Sequence, residues 1–188
     1  DPKEPTMLLM LTALIACSDV EDVSSHGDDH DHGVTTAVSL TFTPTSGGEA
    51  SVFEFHDGQA DEIVLDSEAD YDLTVAFLEE DADGAFVDIS DEILDDGESH
   101  QVFFLTDAPV SIAYADLDDG GLPIGLEAEA VTAAAGVGAL RVVLRHMPPE
   151  SDVAVKVAGL AEQVEADGIA SIGGDSDVDV SFDVTVSD

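Results

Sequence analysis

The chain has 188 residues, 43 Asp and Glu against 4 Lys and Arg, a formal net charge of -39 and a hydrophobic fraction of 44%. So dense a negative field repels phosphates and anionic headgroups, and a nucleic-acid partner is excluded because the cations that drive counterion release are missing. The apolar fraction suffices for one domain with its own core, and the field favours divalent cations or a basic protein surface as partners. Adaptation to a salty habitat would give the same composition.

The first element in chain order is the apolar run Met7 to Ala16 (MLLMLTALIA), which ends on Leu14-Ile15-Ala16 directly before the single cysteine, Cys17. Its length suits a secretory signal and falls short of a membrane span. The arrangement is that of a bacterial lipobox, so residues 1–16 are expected to be a lipoprotein signal peptide and Cys17 the acylated anchor to a membrane. The basic leader is reduced to Lys3, and an opening on Asp1 implies that the natural start lies upstream. With Cys17 acylated, no thiol remains for a disulfide or for catalysis.

Residues 17–33 are polar and acidic without an apolar period, as expected of a flexible tether. Within it His26, His30 and His32 stand among Asp28, Asp29 and Asp31. Imidazole suits Zn²⁺ and Cu²⁺ and the carboxylates add oxygen ligands, although ordering so mobile a segment opposes binding.

Residues 34–188 read as one β domain. Val38, Leu40 and Phe42 alternate with polar residues, the period of a half-buried strand. Further strands are expected at Ala50–Phe55, Glu62–Leu65, Tyr71–Leu78, Gln101–Leu105, Ser111–Ala115 and Leu140–Arg145. The clearest is the last, where Val178, Val180, Phe182, Val184 and Val186 occupy every second position. Single helical turns are expected at Ser90–Asp96, closed by Gly97, and at Leu160–Glu165. Ala128–Ala135 is ambiguous, since alanine favours helix while Val131 and Thr132 favour strand. Many short strands separated by Gly, Asp and Pro clusters predict an antiparallel immunoglobulin-like β-sandwich.

His100 opens one strand with the parity of Val102 and Phe104, and His146 closes another with the parity of Leu140, Val142 and Leu144. Both are therefore expected at strand ends on core faces, where they would form a rigid metal site if the ends meet and Glu98 or Glu92 supplies a carboxylate. A backbone-bonded core histidine is the simpler role for either one. Asp116 and Asp118, followed by Gly121 and Glu127, partly match a calcium loop, with Gly120 at a ligand position and no flanking helix. An acidic hairpin turn accounts for the same residues. Asp81, Asp83 and Gly84 repeat the theme more weakly. Arg141, Arg145 and Lys156 are expected to neutralise part of an acidic sheet face. Sequence signatures of hydrolases, zinc proteases and nucleotide-binding loops are absent, which favours binding over catalysis.

Four segments, DEILDDGESHQVFF (91–104), DLDDGGLPIGL (116–126), GVGALRVVLRHMPP (136–149) and GGDSDVDVSFDVTV (173–186), carry a resemblance that covers most of the chain after the tether. They are similar to a poorly characterised family of Gram-negative envelope lipoproteins often labelled type 1 periplasmic binding fold proteins. The resemblance implies a cell-envelope location, with His100 and His146 inside the matching segments. The family label implies an α/β fold, which the strand pattern does not support. The leading expectation is a lipid-anchored capture or buffering protein for Zn or Cu, working with an outer-membrane transporter. The rival is an adhesion or scaffold sandwich stiffened by Ca²⁺ at Asp116, Asp118 and Glu127. Recognition of a basic ligand by the acidic surface is a third.

Overall fold

The alternation of apolar and polar residues dictates where each strand puts its side chains, and the computed structural model follows it through residues 35–151 and 153–188, which are the residues described. The expected signal peptide at 1–16, Cys17 and the expected tether with His26, His30 and His32 lie outside them.

The strands are β1 (Thr35–Pro44), β2 (Ser51–His56), β3 (Gln59–Ala60), β4 (Ile63–Asp66), β5 (Asp70–Glu80) and β6 (Phe86–Asp88), then β7 (His100–Thr106), β8 (Val110–Tyr114), β9 (Glu127–Thr132), β10 (Gly136–His146) and β11 (Asp175–Ser187). Two short helices, α1 (Ser90–Asp95) and α2 (Leu160–Asp167), interrupt them. One sheet has seven strands in the order β3-β2-β1-β5-β9-β8, with β6 beside β5, and the other runs β4-β11-β10-β7. The expected all-β sandwich is thus the fold. One pair departs from the antiparallel expectation: β4 runs parallel to β11. No hairpin turn joins two strands so far apart in sequence, so nothing local fixes their relative direction.

The inner faces are filled by the residues that the alternation singled out. Leu40 and Phe42 of β1, Leu73, Val75 and Phe77 of β5, Val142 and Leu144 of β10 and Phe182 and Val184 of β11 are all buried in one cluster. The ambiguous segment Ala128–Ala135 is strand as far as Thr132, and Ala133–Ala135 form the bend that follows: β9 buries Ala128, Ala130 and Thr132 and exposes the residues between them. Here the alternation and the pairing of β9 with β5 and β8 outweigh the helix propensity of alanine.

A smaller core covers the outer face of the second sheet, where Phe103 of β7, Val143 of β10 and Met147 pack against Leu160 and Val164 of α2 and against Ile172. This explains the apolar residues at odd positions in β7 and β10, which a one-faced strand would not carry. Close approach also fixes Gly138, where an added Cβ would lie 2.5 Å from the backbone nitrogen of Ala108.

Phe182 is fully buried in the middle of β11. Its replacement by Ala is expected to destabilise the domain by about 3–5 kcal/mol, which urea denaturation of wild type and variant will measure.

Candidate metal centre

The antiparallel register of β7 and β10 sets His146 directly opposite His100. Their rings stack with centroids 4.7 Å apart and planes 8° from parallel. The condition set by the sequence, that the two strand ends meet, holds in this geometry. The carboxylate beside them belongs to Asp96, four residues before His100, and not to Glu98 or Glu92. One ligand atom from each of Asp96, His100 and His146 lies within 4.8 Å of the others.

Local structure explains how Asp96 arrives there. Helix α1 ends at Asp95 and a 3₁₀ turn over Gly97–Ser99 leads into His100. That tight turn folds Asp96 back over the start of β7. The His100 side chain is 1% exposed, with Nδ1 3.0 Å from the Asp96 carbonyl oxygen and 3.3 Å from its Oδ2. A carbonyl only accepts, so Nδ1 is the donor in this contact.

On the Nε2 side stands Asp177, with Oδ2 3.7 Å away. Strict alternation puts Asp177 with Asp179 and Ser181 on the solvent face. However, the pairing passes from Leu144↔Val178 to Arg145↔Ser176, so Asp177 is the extra residue of a β-bulge. Bulges redirect side chains, and this one brings a carboxylate to His100. No sequence signal marks it apart from the dense Asp content of the segment.

Lys156 departs most from its expected surface role. It is 3% exposed, and its Nζ donates to the Gly97 carbonyl and to Asp118 Oδ2, both at 2.7 Å. The ammonium thereby ties the 3₁₀ turn that presents Asp96 and His100 to the loop around Asp118. Burial pushes the Asp118 carboxyl up, but hydrogen bonds from Lys156 and from the Leu122 and Gly120 N–H groups, with the Lys156 charge, outweigh burial and hold it below the ordinary range.

The residues expected to bind calcium have other partners. Asp116 accepts the N–H groups of Gly125 (2.7 Å), Leu126 (2.8 Å) and Glu127 (3.1 Å). Asp118 holds Lys156, and Glu127 Oε2 accepts the Thr74 hydroxyl at 3.2 Å. Among the described residues Asp116, Asp118 and Glu127 do not form a ligand group of the kind made by Asp96 and the two histidines. The loop's carboxylates act as caps for its own backbone. Asp81 does the same, accepting the N–H groups of Asp83 and Ala85.

Of the arginines, Arg141 meets the expected role. Its guanidinium makes a two-pronged contact with Asp179 at 2.6 and 2.5 Å on the outer face of the second sheet. Arg145 instead bonds to Ser176 Oγ and to the carbonyls of Ile172, Gly173 and Gly174, holding that loop against β10.

Comparisons with protein-family models, with curated proteins and with solved structures find no match. No helix among the described residues is long and apolar enough to cross a membrane. The class that the fold and site define is therefore an all-β sandwich with an Asp-His-His group at one end of its second sheet.

Lys156→Met is expected to cost roughly 3–5 kcal/mol by leaving a buried carboxylate without its cation, whereas adding Asp118→Leu should restore much of the loss. Because the folded Asp118 carboxyl sits below its ordinary value, its contribution is complete above about pH 4 and disappears as pH falls through the lowered value. Urea denaturation from pH 7 to pH 2 checks both: the stability gap between wild type and the double variant should narrow only on the acid side.

Proposed function

We propose that the chain is a lipid-anchored cell-envelope protein whose sandwich captures or buffers a divalent transition metal, zinc or copper, at Asp96, His100 and His146. The observation that carries this reading is the meeting of two imidazoles and one carboxylate within 4.8 Å. Two nitrogens and one oxygen match the ligand preferences of Zn²⁺ and Cu²⁺, and a three-ligand set leaves a position for water or an exchanging ligand. That openness suits transfer of an ion better than permanent structural binding.

Parallel rings hold their nitrogens side by side, so convergence on one ion requires one ring to turn. His146 is half-buried and His100 buried, so the movement belongs to His146. When His100 Nδ1 serves as the ligand, its remaining N–H moves to Nε2, on the side of Asp177. A carboxylate there orients the imidazole and raises its basicity. Each ligating imidazole must be deprotonated, so acid competes with metal.

The Cys17 anchor and the tether complete the reading from sequence. In this reading residues 17–33 bring His26, His30 and His32 near a membrane surface to recruit the ion, and the sandwich supplies the firmer site.

The test is Co²⁺ absorption and Zn²⁺ calorimetry on the full-length protein at neutral pH. Wild type should bind one ion with nitrogen-ligated cobalt bands, His146→Ala and the His100→Ala, His146→Ala pair should lose it, and Asp177→Asn should weaken it by about 10–100-fold. Replacing His26, His30 and His32 together should leave that ion in place. Unchanged stoichiometric binding in correctly folded His146→Ala would overturn the assignment.

A further inference from the structure

The sandwich ends on one side in two open edges, since β7 and β8 are the last strands of their sheets. In an antiparallel ladder, alternate residues turn both N–H and C=O toward the partner and the others turn them away. The N–H of Asp107 donates to Ala139 and that of Met147 to Ser99. Odd-numbered residues of β7 therefore face β10, and Val102, Phe104 and Thr106 face outward.

Val102 is covered: its N–H donates to the Ile124 carbonyl at 2.7 Å and its carbonyl accepts the Tyr114 hydroxyl at 2.8 Å. Beyond it, at Phe104 and Thr106, the described residues place no strand beside the edge. A cleft of about 880 Å³ opens there, bounded by Phe104, Leu105, Ile112 and Tyr114 and by Glu162 and Glu165 of α2.

The walls of this cleft differ in chemistry. Phe104 and Ile112 are partly buried apolar residues packed against the main core, whereas Glu162 and Glu165 are exposed carboxylates. The Tyr114 hydroxyl is pushed up to about 12, chiefly by burial, against a hydrogen bond from Gln101, with the Asp116 and Glu162 charges adding to the rise. The charge of α2 thus reaches across the cleft. Arg141, the cation lining it, is held by Asp179.

An open edge invites another strand, and charge decides which one. A second copy would bring a further net charge of -39 to an acidic wall. We propose that the Phe104–Thr106 edge of β7 receives an extended basic segment of a partner protein as an added strand. Its alternate apolar side chains face Phe104, Ile112 and Tyr114, and its Lys or Arg side chains face Glu162 and Glu165. Main-chain bonds to the edge supply affinity and the two unlike walls supply specificity. The surface is separate from the Asp96, His100 and His146 group and does not depend on metal.

The experiment uses the full-length protein and three labelled peptides at about 0.15 M salt, where exposed long-range charge is largely screened. The first alternates Lys and Val, the second is the same peptide N-methylated along one edge, and the third alternates Lys and Ser. Fluorescence anisotropy should show the first binding at least about tenfold more tightly than the others, a difference of about 1.4 kcal/mol. Glu162→Lys with Glu165→Lys, both on the exposed face of α2, should weaken the first peptide by a similar factor. Hydrogen exchange should slow at the Phe104 and Thr106 amides when that peptide is bound. Equal binding of all three peptides, no binding of the first, or protection confined to another surface would overturn the proposal.

Discussion

The pairing register of β7 with β10 is the constraint on which the rest depends. It places Val102, Phe104, Val142 and Leu144 on the inner face, Phe103 and Val143 on the outer, and His100 opposite His146 at the end. A slip of β10 by one residue would reverse its faces at once, turning Arg141 and Arg145 toward the main core and separating the imidazoles. The register is well specified because both faces of this strand pair are buried, one by the opposite sheet and one by α2 with its following loop. The core and the candidate site are consequences of one alignment.

The second organising feature is how a chain of net charge -39 uses its few cations. Arg141 clasps a carboxylate on an exposed face, where such a pair adds little to stability. Arg145 and Lys156 instead satisfy backbone carbonyls where loops fold against the sheet. Lys156 joins the turn before His100 to the Asp118 loop, so a cation seated in the interior fixes two acidic loops that would otherwise repel. The carboxylates of those loops turn inward as caps, with Asp116 gathering three N–H groups. Much of the local acidity is therefore structural, and the Asp-His-His group stands apart from it by its imidazoles.

The sandwich was legible because period-two alternation is a direct consequence of burying one face, and β1, β5 and β11 carry it with few exceptions. Short β3 and β6 carry too few residues for a period, and the strand nature of β9 emerged only from its neighbours. The parallel pairing of β4 with β11 has no local signal. Parity places His100 and His146 at strand ends on core faces, and only the register of β7 with β10 makes those ends meet. Asp96 was missed because its approach depends on a 3₁₀ turn, and Asp177 because a bulge breaks the alternation used to read it. Lys156 reads as solvent-exposed because it is one of two lysines in an acidic sequence, and only the tertiary meeting of Gly97 with the Asp118 loop creates its pocket.

The two proposals occupy different parts of the second sheet: the metal group at the His100 end of β7, the acceptor edge at the Thr106 end. That arrangement lets a basic partner dock on one end of a strand whose other end holds the ion, without competing for the same side chains. The most direct measurement of the central claim is anomalous scattering at the zinc edge from crystals of the protein grown with equimolar zinc. The account requires a single strong peak in contact with His100 and His146 and beside Asp96. A peak elsewhere, with the two rings still stacked and bare, would contradict it.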